Sequence, residues 1–270
     1  MLSGLRELEV DLSLTDIFIT HMHADHTGLI SHLATDTSKV FCSSIDAYKV
    51  NHSNDWYDWL VYACRNGFPP LYEAITKHPF FKFCAHKWVN FTFVSEGDTI
   101  DAGDYSFQCV AAPGHTAGQI CLYETGKKML VSGDHILAKI TPNIQSFEDG
   151  ENPLQDFLDS LDRISKLDID LVLPGHRSLI TDHRARINEL KTHHHNRAQA
   201  VMTILRQGTQ NACEIAALME WDLSYKTWDE FPVQQKWFAI GEVIAHLRYL
   251  EQKSLVKRAR VENQTGYALV

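Results

Sequence analysis

The chain has 270 residues, 44% of them hydrophobic and 22% charged, with a formal net charge of -9. That balance excludes wholesale disorder and accommodates one large domain with a smaller one beside it. The acidic excess argues against broad nucleic-acid binding, and no apolar run approaches the roughly 20 residues of a membrane span.

The start, Met1-Leu2-Ser3-Gly4-Leu5-Arg6-Glu7, lacks the basic head and apolar core of a signal peptide. Residues 3–11 read as a helix. Asp16–Thr20 reads as a buried strand running into His21-Met22-His23-Ala24-Asp25-His26. A helix over Thr27–Leu33 and a short strand at Val40–Cys42 follow. Residues 44–90 are rich in aromatics, and Trp56, Trp59, Leu60 and Ala63 recur at helical spacing until Pro69-Pro70 breaks the pattern. This is expected to be a helical insertion that packs on itself, a lid lending an apolar wall to a substrate, or both.

Short strands come next: Phe91–Val94, Tyr105–Ala112, Gln119–Tyr123 and Lys128–Val131, with Thr125-Gly126-Lys127 turning a hairpin. Residues 153–167 form an amphipathic helix with Asn152-Pro153 at its start. The strand Ile169–Leu173 leads to Pro174-Gly175-His176, and a helix begins near Asp182. Beyond residue 190 the pattern changes to helices at Lys191–Leu205, Ala212–Met219 and Val233–Leu250, with a two-stranded wing near Leu255–Arg260 and Gly266–Val270. The division expected is 1–190 and 191–270.

Four strand ends carry metal-ligand residues: the His21–His26 run, Pro113-Gly114-His115, Ser132-Gly133-Asp134 and Pro174-Gly175-His176. In an extended segment His21 and His23 point the same way, so both imidazoles can bind one ion. Asp25 and His26 fall where the chain turns into a helix and can serve a second ion. Pro-Gly turns let His115 and His176 face the strand ends. Asp134, after Gly133, offers a carboxylate able to bridge two cations. Imidazole and carboxylate donors without thiolate suit zinc and tolerate iron or manganese. The Pro-Gly-His and Ser-Gly-Asp segments are weak signals singly. The His-x-His-x-Asp-His run directly after a strand is strong, and the ordered set of four is stronger. The six cysteines are scattered with no C-x-x-C pair, as in a reduced, cytoplasmic protein.

This order and spacing resemble the metallo-β-lactamase superfamily over about residues 3–190. The turn Gly114-His115-Thr116-Ala117-Gly118 is similar to that of glyoxalase II-like members. The resemblance implies an α/β fold, the αββα sandwich, here lacking its first strands because the helix before His21 begins near Met1. It implies two divalent ions, most simply zinc: His21, His23 and His115 on the first, Asp25, His26 and His176 on the second, Asp134 bridging. It further implies a hydroxide nucleophile shared by the two ions, oriented by Asp25, which makes Asp25 and Asp134 the catalytic carboxylates.

Residues 191–270 resemble the winged-helix tail of the lactamase-like endoribonucleases, through Ala212–Ala216, Gly241–Glu251 and Ser254–Arg258. Residues 206–262 hold eight Lys/Arg and eight Asp/Glu, too neutral for a recognition helix, so a structural or homodimer-forming role is expected. The function expected is hydrolysis of a small ester, thioester or lactone. A zinc-dependent ribonuclease or phosphodiesterase acting on RNA is the alternative, supported by Arg184, Arg186, Lys191 and Arg197. A third reading is a regulatory protein that keeps its metals but turns over little.

Overall fold

Hydrophobic residues alternate between two cores along the central strands, and this alternation builds the layers. The fold is that of a computed structural model, which describes residues 1–52, 56–69, 88–146 and 148–270. In chain order the first elements are α1 (Leu2–Glu7), β1 (Ile17–Phe18), α2 (Ala24–Thr27), α3 (Ile30–Leu33), β2 (Val40–Cys42), α4 (Ser44–Asn51), α5 (Trp56–Arg65) and β3 (Phe91–Phe93). Next come β4 (Thr99–Ala102), β5 (Tyr105–Ala111), β6 (Ile120–Glu124), β7 (Met129–Gly133), α6 (Pro153–Ile164) and β8 (Leu171–Pro174). The chain closes with α7 (His183–Leu205), β9 (Gln210–Asn211), α8 (Ala212–Leu218), α9 (Val233–Gln252), β10 (Val256–Val261) and β11 (Gln264–Leu269).

One parallel sheet has the order β1-β2-β3, and a five-stranded sheet has the order β4-β5-β6-β7-β8. Its pairings are antiparallel up to β7, and β7 pairs with β8 in parallel. Cys109, Ile120 and Leu122 point inward to meet Phe18 and Phe41 of the other sheet. Their neighbours Val110, Cys121 and Tyr123 point outward onto Leu154, Phe157, Leu161 and Ile164 of α6. On the opposite flank Val40 and Cys42 pack with Ile30 and Ala47 of the short helices. The period-two alternation of side chains therefore gives helix, sheet, sheet, helix.

Three local expectations change. The helix over 3–11 stops at Glu7, and Glu9 adopts φ +53°. The Asp11 carboxylate then accepts the Ser13 N–H at 2.9 Å and starts a separate 3₁₀ turn at Leu12–Leu14. The helix over Thr27–Leu33 shrinks to the single turn α3, Ile30–Leu33, and a separate single turn, α2, forms earlier, over Ala24–Thr27, and carries Asp25 and His26. The Thr27 hydroxyl donates back to the His23 carbonyl at 3.0 Å and closes α2. Residue 190 lies inside α7, which runs unbroken for 23 residues.

Four described residues of the aromatic segment pack against elements beyond residue 183. Leu60, Tyr62, Ala63 and Phe68 join one core with α7, α8, α9 and Tyr267 of β11. The rest of that segment, 70–87, lies outside the described residues, as does the bulk of the expected lid. The β10-β11-β9 sheet closes this second core. Two contacts tie it to the sheet layers: Ser146 N–H donates to the Gly241 carbonyl at 3.2 Å, and Arg248 of α9 bonds Asp149. Within the second core, Tyr267 hydroxyl donates to Asn66 at 3.0 Å and Arg248 bonds Tyr62. Among the described residues Cys42, Cys64, Cys109, Cys121 and Cys213 are free thiols, and no helix is long and apolar enough to cross a membrane.

Candidate metal centre

All seven residues singled out from the sequence meet at one end of the two sheets. His21 follows β1; its predecessor Thr20 accepts Ile120 N–H at 3.0 Å, which stitches the two sheets together just below the site. The His21 ring lies 4.8 Å from His23, 4.1 Å from His26 and 4.9 Å from His115, centroid to centroid. The rings of His23 and His115 stand 4.5 Å apart, nearly perpendicular. His176 Nε2 lies 3.1 Å from Asp25 Oδ2, 3.4 Å from Asp134 Oδ2 and 3.3 Å from His26 Nε2. Asp134 also approaches His26 at 3.5 Å and His115 at 3.8 Å.

Three donor groups result, each with ligand atoms within 4.8 Å of one another: His21, His23 and His115; His21, His26 and Asp134; Asp25, His26 and His176. His21 Nε2 and His115 Nε2 are buried with no hydrogen-bond partner, and Asp134 Oδ1 is buried with only His26, at 3.5 Å, beside it. Buried polar atoms in folded proteins are normally satisfied, so converging orphans of this kind fit a cation. The opposite ring nitrogens are fixed. His115 Nδ1–H donates to the Asn143 carbonyl at 2.9 Å, and His21 Nδ1 pairs with the Thr20 hydroxyl at 3.1 Å, leaving each Nε2 facing the cluster.

Electrostatics follow the same geometry. Burial, reinforced by the neighbouring imidazoles, holds His21 well below the usual histidine range. Burial likewise lowers His115 despite the Asp134 charge. For His26, burial is outweighed by the bond and charge of Asp134 and by Asp25, and its affinity for a proton rises. Burial opposes the charge on Asp134, but the surrounding imidazoles prevail and lower it. Neutral imidazoles at His21 and His115 beside an ionised Asp134 are states that ligate a cation.

Backbone packing supports the cluster at points that carry no signal as ligands. A Cβ on Gly175 would sit 2.4 Å from Asp134 Oδ1 and 2.8 Å from His26 Cε1, so the Pro-Gly-His turn requires glycine. Asp46, on the first turn of α4, is 1% exposed. Its carboxylate accepts Met22 N–H at 2.9 Å, Thr116 O–H at 2.6 Å and Gly118 N–H at 3.0 Å. The sequence hint for Asp46 was Ser43-x-x-Asp, an N-cap pattern: Ser43 caps the helix through Asp46 N–H, while the carboxylate turns away toward the histidine loops. His135, beside Asp134, is a packing residue: it is fully buried against Phe157, and burial lowers it to about 3. The His193–His195 run splits by face, with only His194 buried, against His246 at 3.3 Å.

A profile of the metallo-beta-lactamase superfamily matches residues 11–176, spanning every one of these ligands. The chain belongs to the metallo-beta-lactamase superfamily. It is similar to the "Probable metallo-hydrolase YqjP" of Bacillus subtilis, 24% identical over 92% of this chain and 79% of that protein. It is 31% identical to the hydroxyacylglutathione hydrolase of Rhodobacter capsulatus, over 46% of this chain and 35% of that enzyme. Among solved structures, the metallo-beta-lactamase family protein TTHA1429 of Thermus thermophilus superposes with a TM-score of 0.81 at 26% identity, covering 99% of this chain and 84% of that one. The superfamily profile and this donor set make the chain a metal-dependent hydrolase.

Proposed function

We propose that the chain hydrolyses a small acyl ester, thioester or lactone, a thioester first among them, at a centre of two divalent cations. The observation that carries the reading is the overlap of donor groups: His21 belongs to two of the three and His26 to two. Such sharing suits two adjacent ions better than one. His21, His23 and His115 would hold the first, and Asp25, His26 and His176 the second, with Asp134 between. When bound, divalent zinc, or iron or manganese, acidifies water and polarises the acyl oxygen. Asp25 is the most exposed of the ligand carboxylates, at 60%, and is placed to accept a proton from attacking water at the open side. Asp134, at 9% exposure, supplies fixed negative charge beneath.

A thioester is favoured by the relatives: acyl-coenzyme A thioesterase MBLAC2 of Gallus gallus is 26% identical over 163 residues, and the Rhodobacter enzyme is named for an acylglutathione substrate. The ribonuclease alternative rested on the winged-helix-like tail and on four cations of α7. Arg184 donates to the Ser165 and Leu167 carbonyls, and Arg186 to those of Leu137 and Ile140. Lys191 pairs with Asp162, and Arg197 with Glu242. Cations already committed to the protein are poor phosphate ligands, which supports an acyl substrate over RNA.

We read β9, α8, α9, β10 and β11 as a winged-helix-like module with a structural role in the cytoplasmic enzyme. Ala245 of α9 packs into the same core as α6, which supports a role in covering the helical layer over the large sheet. The reading is tested by a panel of acyl thioesters and lactones set against single-stranded RNA, on protein of measured metal content. About two ions per chain and thioester cleavage are expected. RNA cleavage without acyl hydrolysis would reverse the assignment, and less than one ion per chain would remove its basis.

A further inference from the structure

The two loops that carry His21, His23 and His115 come from different sheets, tied just below the site by the Ile120 N–H bond to the Thr20 carbonyl, and above that bond a gap separates them. Asp46 spans that gap. One carboxylate oxygen accepts both Met22 N–H, at 2.9 Å, and Thr116 O–H, at 2.6 Å; the other accepts Gly118 N–H at 3.0 Å. Met22 lies between His21 and His23, and Thr116 directly follows His115. We propose that Asp46 is a positioning residue of the metal centre, clamping the His21–His23 loop to the His115 turn so that three imidazoles of the first site converge. The inference rests on those imidazoles holding an ion.

The residue type follows from the donors around it. Two of the three are backbone N–H groups, which cannot reverse their polarity. An asparagine in the same place can face only one of its two ends toward an N–H as an acceptor. Its amide nitrogen would meet either Gly118 N–H or Met22 N–H and leave that buried donor orphaned. Alanine would orphan all three. The carboxylate is also tightly seated. A Cβ on Gly118 would lie 2.4 Å from Ser43 Oγ and 2.5 Å from Asp46 Oδ1, so the turn approaches the clamp as closely as backbone can. Lys49, one helical turn on, is turned to Glu148 at 3.1 Å, so the three donors, not an ion pair, hold the charge.

The test uses the whole 270-residue chain with cobalt as the probe ion. Asp46→Asn, and Thr116→Val as the milder variant should the first fold poorly, are compared with Tyr123→Phe. The last removes a comparable hydrogen bond, to the Asp168 carbonyl at 2.9 Å, in the same sheet but away from the centre. Chelator competition reads first-site affinity, the visible cobalt spectrum reads ligand geometry, and urea unfolding of metal-free protein reads stability. Asp46→Asn should weaken first-site affinity by roughly ten- to a hundredfold and shift the spectrum. Thr116→Val should weaken it several-fold, and Tyr123→Phe should leave both readouts at wild type for a similar loss of stability. Unchanged affinity and spectrum in both clamp variants, with cobalt bound normally to the wild type, would overturn the positioning role and leave the metal reading standing. A wild-type chain that takes up no cobalt would overturn both.

Discussion

Gly175 turns the backbone between β8 and His176, and it is where a single methyl group tests the centre most severely. Its backbone is not in the left-handed region, so alanine brings no conformational strain; the effect is steric. The new Cβ would stand 2.4 Å from Asp134 Oδ1, whereas ordinary contact begins at 3.4 Å. The carboxylate would have to retreat by about 1 Å, and the His26 ring by somewhat more than half that. Ligand distances in metal sites hold within about 0.2 Å, so displacements of this size exceed what coordination tolerates. Gly175→Ala should therefore lower metal affinity by at least about tenfold and turnover with it. The turn is exposed at the strand end, so the urea midpoint of metal-free protein should shift little. Metal content after equilibrium dialysis, read beside that midpoint, is the assay. A variant holding wild-type metal at wild-type affinity would refute the placement of Asp134 and His26 against this turn.

Other expectations follow from the same coordinates. Asp25→Ala should cut turnover by about a hundredfold or more while the apo fold survives, the loss expected for a positioned acid–base group; steady-state kinetics with a thioester decides it. Arg197 and Glu242 form an ion pair at 2.9 Å with both side chains at most 13% exposed, so Arg197→Met should cost about 3 kcal/mol by stranding a buried carboxylate, measured by urea unfolding. Burial lowers His246 to about 4 from the ordinary 6.5. The unfolded chain then binds the extra proton first. The contribution is present in full above pH 6.5 and drains as pH falls toward 4, amounting to about 2 kcal/mol by pH 5. His246→Leu should flatten that part of the stability profile, and an unaltered acid slope would assign the loss to other groups.

The seven candidate ligands were legible because each is announced locally: a strand, a turn residue, then an imidazole or carboxylate. Asn152-Pro153 likewise marked the start of α6 correctly, with Asn152 accepting Gln155 N–H. What sequence could not supply is packing across distance. Asp46 looks like any acid in a first helical turn, and only the fold brings Met22 and Thr116 to it. Leu60 and Ala63 show helical spacing but not that their partner is the core of α7, α8 and α9. The single-turn helix Ala24–Thr27 was hidden because a hydroxyl closing one turn leaves no mark in hydrophobic periodicity.

The central claim is that distant segments gather one pair of cations. Anomalous diffraction at the zinc edge, on crystals of zinc-loaded protein, addresses it directly. Two peaks about 3.5–4 Å apart are predicted, one among His21, His23 and His115 and the other among Asp25, His26 and His176, with Asp134 between them. Zinc bound elsewhere on the chain, with no peak among these seven side chains, would contradict the account.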